Sequence, residues 1–133
     1  MAFEEANLWA QLVWFTGGMG LLGENVGRLY EQSPERFDML ASAIPVNPVS
    51  PEVVDWYMDP EVSILKSDGD PLMFGVFNLT DMEYAPEVLA VRMGIVDRWS
   101  FRERASGEIF EGSGDLVKFP TMPPHSARIW IME

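Results

Sequence analysis

A chain of 133 residues, 47% of them hydrophobic, is long enough for one ordinary domain with a buried core and is a poor candidate for disorder. Its formal charge of -12, from nine Lys and Arg against 21 Asp and Glu, argues against nucleic acid and anionic membrane surfaces, both of which need a basic footprint. The lack of cysteine leaves neither a disulfide framework nor thiolate chemistry; no apolar run approaches the roughly 18 to 20 residues of a membrane span; and the opening Met-Ala-Phe-Glu-Glu has no basic signal-peptide segment, so the expected setting is cytoplasmic.

From Phe3 to Phe15 the residues Phe3, Leu8, Leu12 and Phe15, joined by Ala6, Trp9 and Val13, recur at three- and four-residue steps, which predicts a helix ended by Gly17-Gly18. Met19 to Leu22 is too short for a helix and reads as a buried strand of the parallel-sheet kind, closed by Gly23-Glu24-Asn25. Ser33-Pro34-Glu35 is a helix start, with Phe37, Leu40, Ala41 and Ile44 as the expected apolar face and Pro45 at its end. Residues 1–45 therefore read helix, strand, helix. A parallel strand flanked by helices is a piece of an α/β unit and cannot pair with itself. The prolines of residues 46–60 predict a linker, with one helical turn near Glu52 to Tyr57.

From Val62 the pattern changes to short strands. Val62 to Leu65, the Asp68-Gly69 turn, Leu72 to Leu79 and Val88 to Met93 are followed by Trp99 to Glu103, Glu108 to Phe110 and Leu116 to Phe119, broken at Ser106-Gly107 and Gly112-Ser113-Gly114 as if in successive hairpins. Pro123-Pro124-His125 is a rigid turn that starts a last strand at about Ser126, with Ala127, Ile129 and Ile131 on one face and Arg128 and Trp130 on the other. Six or seven strands in residues 61–133 predict an antiparallel β-sandwich, so the fold class is α+β, mainly β. Because antiparallel hairpins satisfy their own backbone groups, residues 61–133 are expected to fold without residues 1–45.

Two sets of residues then resemble a known family together. Leu8-Trp9-Ala10, the run ending Gly23-Glu24-Asn25, and Leu29 followed by Ser33-Pro34-Glu35 and Leu40 are similar to the end of the β/α barrel in melibiase-type α-galactosidases. Gly94-Ile95, Trp99-Ser100-Phe101-Arg102-Glu103, Ser106-Gly107-Glu108, Leu116 to Pro120 and Pro123 to Ala127 are similar to the carboxy-terminal β domain that follows that barrel. The chain departs from the family pattern at Ala105, where Trp is frequent, and at Glu24-Asn25, where an Asp pair is commoner. The resemblance implies a terminal helix-strand-helix piece of a β/α barrel and a complete sandwich, belonging to a retaining glycoside hydrolase of α-galactosides. It also implies that the catalytic carboxylates lie on barrel strands earlier than any in this sequence, so no catalytic residue is assigned, and galactoside would be met through the missing barrel.

Three residues are candidates for substrate contact. Glu24 and Asn25 stand at the carboxyl end of the expected parallel strand, where a barrel builds its site; they read either as sugar-facing groups or as a polar strand end bonding loop amides. Trp130 shares a face with Arg128 and could present its ring to a sugar, whereas Trp99 and Phe101 read as core. His125, the only histidine, reads as a turn residue, and without a second His or any Cys neither a metal site nor a cofactor is expected. Asn78-Leu79-Thr80 matches a glycosylation sequon. The rival readings are a free-standing carbohydrate-binding or structural module and an enzyme drawing its carboxylates from Glu24 and the linker acids. Apolar surface left by a missing barrel predicts self-association through residues 3–45.

Overall fold

The computed structural model describes residues 3–16, 26–42, 52–54 and 62–133. Helix α1 (Phe3–Thr16) forms over the expected stretch, and its apolar stripe is real: Leu8 (2% exposed) and Phe15 are buried and Leu12 packs beside them, while Trp9 is 52% exposed. Helix α2 (Val26–Gln32) was not anticipated, because Gly27 weakens a seven-residue segment whose few apolar residues show no clear period. Ser33 separates it from α3 (Pro34–Ser42), and the Phe37 amide donates to the Ser33 carbonyl at 3.0 Å, the first bond of the helix that Ser33-Pro34 predicts. Tyr30 meets Phe37 edge-on, ring centroids 5.1 Å apart. In α3 Met39 is buried, whereas Ala41 is exposed. The expected strand Met19 to Leu22, together with Ile44 and Pro45, lies outside the described residues.

Among the described residues every strand pairing is antiparallel. One sheet has six strands in the order β1 (Glu52–Val53), β2 (Val62–Ser67), β3 (Met73–Asn78), β8 (Ser126–Met132), β5 (Arg98–Glu103) and β6 (Ile109–Ser113). A second layer pairs β4 (Glu87–Leu89) with β7 (Leu116–Lys118). The Asp68-Gly69 turn joins β2 to β3 as expected, and β8 begins at Ser126. Between the layers lies an aromatic core of Phe74, Phe101, Phe119 and Trp130, closed by Val88 and Val117 of the small sheet. On the opposite face Leu65, Phe77, Ala127 and Ile129 pack against Leu8 and Phe15 of α1. The central strands of the large sheet are thus buried on both sides, while β6 at its edge leaves Ile109 exposed. Gly75 lets the helix come close: a Cβ there would stand 2.7 Å from the Phe77 ring and 3.1 Å from that of Phe15.

Three expectations are corrected. Glu52 to Tyr57 is not a helical turn at its start, because Glu52 and Val53 pair with Lys66 and Leu65 as an edge strand, which extends the sheet into the expected linker. Val88 to Met93 is a strand only as far as Leu89; Ala90–Met93 is a 3-10 turn, whose buried Ala90 and Met93 are spaced for one turn of helix rather than for strand alternation, and Gly94 ends it at φ 77°. β7 does not form a hairpin with β6. Gly114, at φ 113°, turns the chain out of the large sheet, and β7 finds β4 with Glu87 opposite Lys118 and Leu89 opposite Leu116.

Candidate functional site

The residues that bury α1 leave one of its edges polar: Glu4, Asn7 and Gln11 follow at three- and four-residue steps and so line one side. Opposite them the β5–β6 turn is held rigid. The Glu103 amide donates to the Glu108 carbonyl at 2.8 Å, the Gly107 amide to the Glu103 carbonyl at 2.9 Å, and the buried Glu103 carboxylate accepts the Ser106 amide. Gly107 adopts φ 74°, which favours glycine in this turn. Between helix and turn is a cleft of about 450 Å³, with Met39, Ala127 and Ile129 among its walls.

Two arginines, Arg104 and Arg128, stand among the residues around this cleft. Arg104 is fixed by its backbone amide, which donates to the Ile129 carbonyl at 2.8 Å, and its guanidinium lies 4.3 Å over the Trp14 ring. Burial lowers the Arg104 pKa from its ordinary value, with the Glu103 charge acting the other way. Arg128 donates through Nη1 to the Ala127 carbonyl at 2.8 Å and stands 3.6 Å from Glu4 Oε2. Gln11 gives its amide N–H to Asn7 Oδ1 at 3.2 Å, which leaves Gln11 Oε1 buried without a hydrogen-bond donor. Glu4 is an ion-pair neighbour of Arg128 without a hydrogen bond to it, and the Glu103 carboxylate accepts the Ser106 amide. The sequence carried a signal for the helical side of the cleft: Glu4, Asn7 and Gln11 share the helical period of the apolar stripe. The arginines become partners of that edge only through the tertiary fold.

The sequence-predicted residues lie elsewhere. Glu24 and Asn25 are outside the described residues. Trp130 is not at the surface: it is 2% exposed, and its ring packs against Phe110 and Phe119 with centroids 5.8 and 6.2 Å away, so it offers no face for a sugar. The alternation along β8 that suggested an open face is present, but the β4–β7 layer covers it. Trp99 and Phe101 are core, as expected. His125 is a turn residue at φ 49°, with Nε2 2.6 Å from Asp81 Oδ1.

The sequon asparagine is a clamp. Asn78 is 0% exposed; its Nδ2 donates to the carbonyls of Met82 (2.9 Å) and Pro123 (3.0 Å), with Met122 at 3.4 Å, and its Oδ1 accepts the Thr80 amide and hydroxyl. It ties the loop after β3 to the turn before β8, a junction that the paired amides and carbonyls of Tyr84 and Met122 reinforce. Among the described residues no group of three or more His, Cys, Asp or Glu could hold a metal ion, and no helix is long and apolar enough to cross a membrane.

No family model and no curated protein matches the sequence. Solved structures match its fold. All of the chain is covered by a Bacillus halodurans C-125 protein provisionally assigned as an α-N-acetylgalactosaminidase, with a TM-score of 0.78 and 13% identity. The GH27 β-L-arabinopyranosidase of Geobacillus stearothermophilus also covers all of it, with a TM-score of 0.75 and 14% identity. α-Galactosidase I of Mortierella vinacea covers 99%, with a TM-score of 0.71 and 10% identity. The chain spans only 32%, 31% and 36% of these three structures, about a third of their length. The resemblance to melibiase-type α-galactosidases thus extends from short motifs to the fold, helices and sheet together.

Proposed function

We propose that this chain is the carboxy-terminal part of an α-galactosidase-like retaining glycoside hydrolase, in which the sandwich braces a β/α barrel whose earlier strands carry the catalytic carboxylates. The observation that carries this reading is that α1 and the sheet form one packed unit, and that the same unit covers the full chain in enzymes about three times as long. Retaining hydrolysis needs one carboxylate as nucleophile and a second acid to protonate the leaving oxygen, about 5 to 5.5 Å apart. Glu24 alone does not make that pair. The chain by itself is therefore inactive, and galactoside is bound by the barrel. A cytoplasmic setting is consistent with the absence of cysteine.

The structural neighbours act on different sugars according to their names, so the substrate is the finer part of the proposal. The coding sequence upstream of Met1 provides the first test: continuation into earlier βα units supports the reading. The second test is turnover of a chromogenic α-galactoside. The longer protein should hydrolyse it and the 133-residue chain should not, whereas turnover by this chain that disappears in Glu24→Gln would establish it as an enzyme in its own right. A carbohydrate-binding module centred on Trp130 is disfavoured by the burial of that ring.

A further inference from the structure

Among the aspartates and asparagines of the chain only Asp68 is followed by glycine. The pair lies in the connection between β2 and β3, where the chain passes from Ser67 to Met73, partners at the end of the ladder, through bends without a hydrogen-bonded turn. The Asp68 side chain is 63% exposed, and Lys66 Nζ at 3.0 Å from its Oδ1 holds it by an ion pair at the surface, a weak restraint. The Gly69 N–H has no acceptor among the described residues. Without a Cβ, Gly69 also leaves its nitrogen open to the carboxyl that precedes it. We infer that Asp68-Gly69 is a site of spontaneous backbone modification, where the chain closes a succinimide ring and reopens it as isoaspartate, linked through the side-chain carboxyl of residue 68.

In the first step the Gly69 nitrogen attacks Cγ of the protonated Asp68 carboxyl and forms an N–Cγ bond, while the proton of that nitrogen and the carboxyl hydroxyl leave as water. Water then opens the ring. Addition at Cγ breaks the new bond and restores aspartate, whereas addition at the backbone carbonyl breaks the original peptide bond and leaves a free α-carboxylate, with the chain running through Cβ and Cγ. Water lost in the first step is regained in the second, so the isomer keeps the mass of the parent. Other positions are barred from this course. Asp70 precedes Pro71, which has no N–H. Asp81 is more exposed, at 93%, but the Met82 amide donates to Thr80 Oγ1 at 3.2 Å. Asn78 is buried, with both ends of its side-chain amide bonded. At residue 68 the product is accommodated, because the added backbone carbon falls beyond the Ser67–Met73 pair and leaves the register of β2 and β3 intact.

The test is storage of the full chain at neutral pH for weeks, with a second sample kept unfolded in guanidinium chloride. Each is then digested with a protease that cuts before aspartate but not before isoaspartate, and mass spectrometry reads the bond between Ser67 and Asp68. The expected result is a progressive loss of that cut at unchanged mass. In the folded chain the loss should run within about tenfold of the unfolded rate, because no hydrogen bond of the fold must break for the ring to close. Gly69→Ala keeps the cleavage site at a position whose φ is not positive, and its added methyl should slow the loss about tenfold or more. Should that variant fold poorly by circular dichroism, it is compared with the parent while both are unfolded. A cut that survives storage would overturn the inference, as would loss at the parent rate in Gly69→Ala. A folded rate more than about tenfold below the unfolded one would overturn it too, by showing that the fold shields the pair.

Discussion

Asn78 has all its side-chain bonding capacity directed at backbone or at Thr80, so its replacement exposes the cost of unmade hydrogen bonds at a site water cannot reach. Asn78→Ala should destabilise the chain by about 3 kcal/mol in urea unfolding. Asn78→Asp carries a sharper, pH-dependent signature. An oxygen would replace the amine that faces the Met82 and Pro123 carbonyls, so burial and repulsion raise the folded-state pKa of the new carboxyl above its unfolded value. A raised pKa gives stability that is present at low pH and lost as pH rises, so the deficit of Asn78→Asp against the parent chain should widen from about pH 4 to about pH 8. A deficit that shrank over that range would refute the clamp. The same geometry leaves the sequon inaccessible in the folded chain, because the acceptor nitrogen is already bonded. None of this was legible in Asn78-Leu79-Thr80 itself, since the clamp's partners Met122 and Pro123 stand 44 and 45 residues away.

At the scale of elements, what the sequence made legible is what forms locally. The stripe of Leu8, Leu12 and Phe15, the Ser33-Pro34 helix start and the Asp68-Gly69 turn each specify an element from neighbouring residues, and each is found in the structure. What failed depends on distant partners: Leu116 to Lys118 has the pattern of a hairpin strand, but its mate is β4 in the other layer, and Trp130 has the pattern of a half-exposed strand until that layer covers it. The packing of α1 on the sheet makes two predictions. Leu8→Ala should cost about 2 to 4 kcal/mol in thermal or chemical unfolding, while Trp9→Ala, one residue along but half exposed, should stay within about 0.5 kcal/mol of the parent chain. Gly75→Ala should cost about 1 to 3 kcal/mol, because the added methyl forces the Phe77 and Phe15 rings apart. Equal effects at Leu8 and Trp9 would mean that the helix is not seated on this face.

At the scale of the whole molecule, a six-stranded sheet is covered by helix on one side and by two short strands on the other, so deletion of the helices has a definite consequence. Residues 61–133 retain every strand but β1 and should still melt cooperatively, at a lower temperature than the full chain and with dye-binding apolar surface at Leu65, Phe77, Ala127 and Ile129. An unfolded truncation would make the helical layer part of the folding unit rather than its cover. The helices in turn expose Trp9 at 52% and Tyr30 at 58%, large rings that a soluble surface seldom leaves bare and that a barrel would cover in the proposed parent enzyme. In the isolated chain those rings should meet each other across copies, against the repulsion of a net charge of -12. Salt separates the two forces, because raising ionic strength from about 0.1 M to 1 M shortens the screening length from about 10 Å to about 3 Å while leaving apolar contact intact. Light scattering of the full chain should therefore show association that grows with both concentration and salt and that falls in the double variant Trp9→Ser, Tyr30→Ser. A full chain that stays monomeric under all these conditions would show that its helical layer needs no further cover, and the case for a missing barrel would weaken with it.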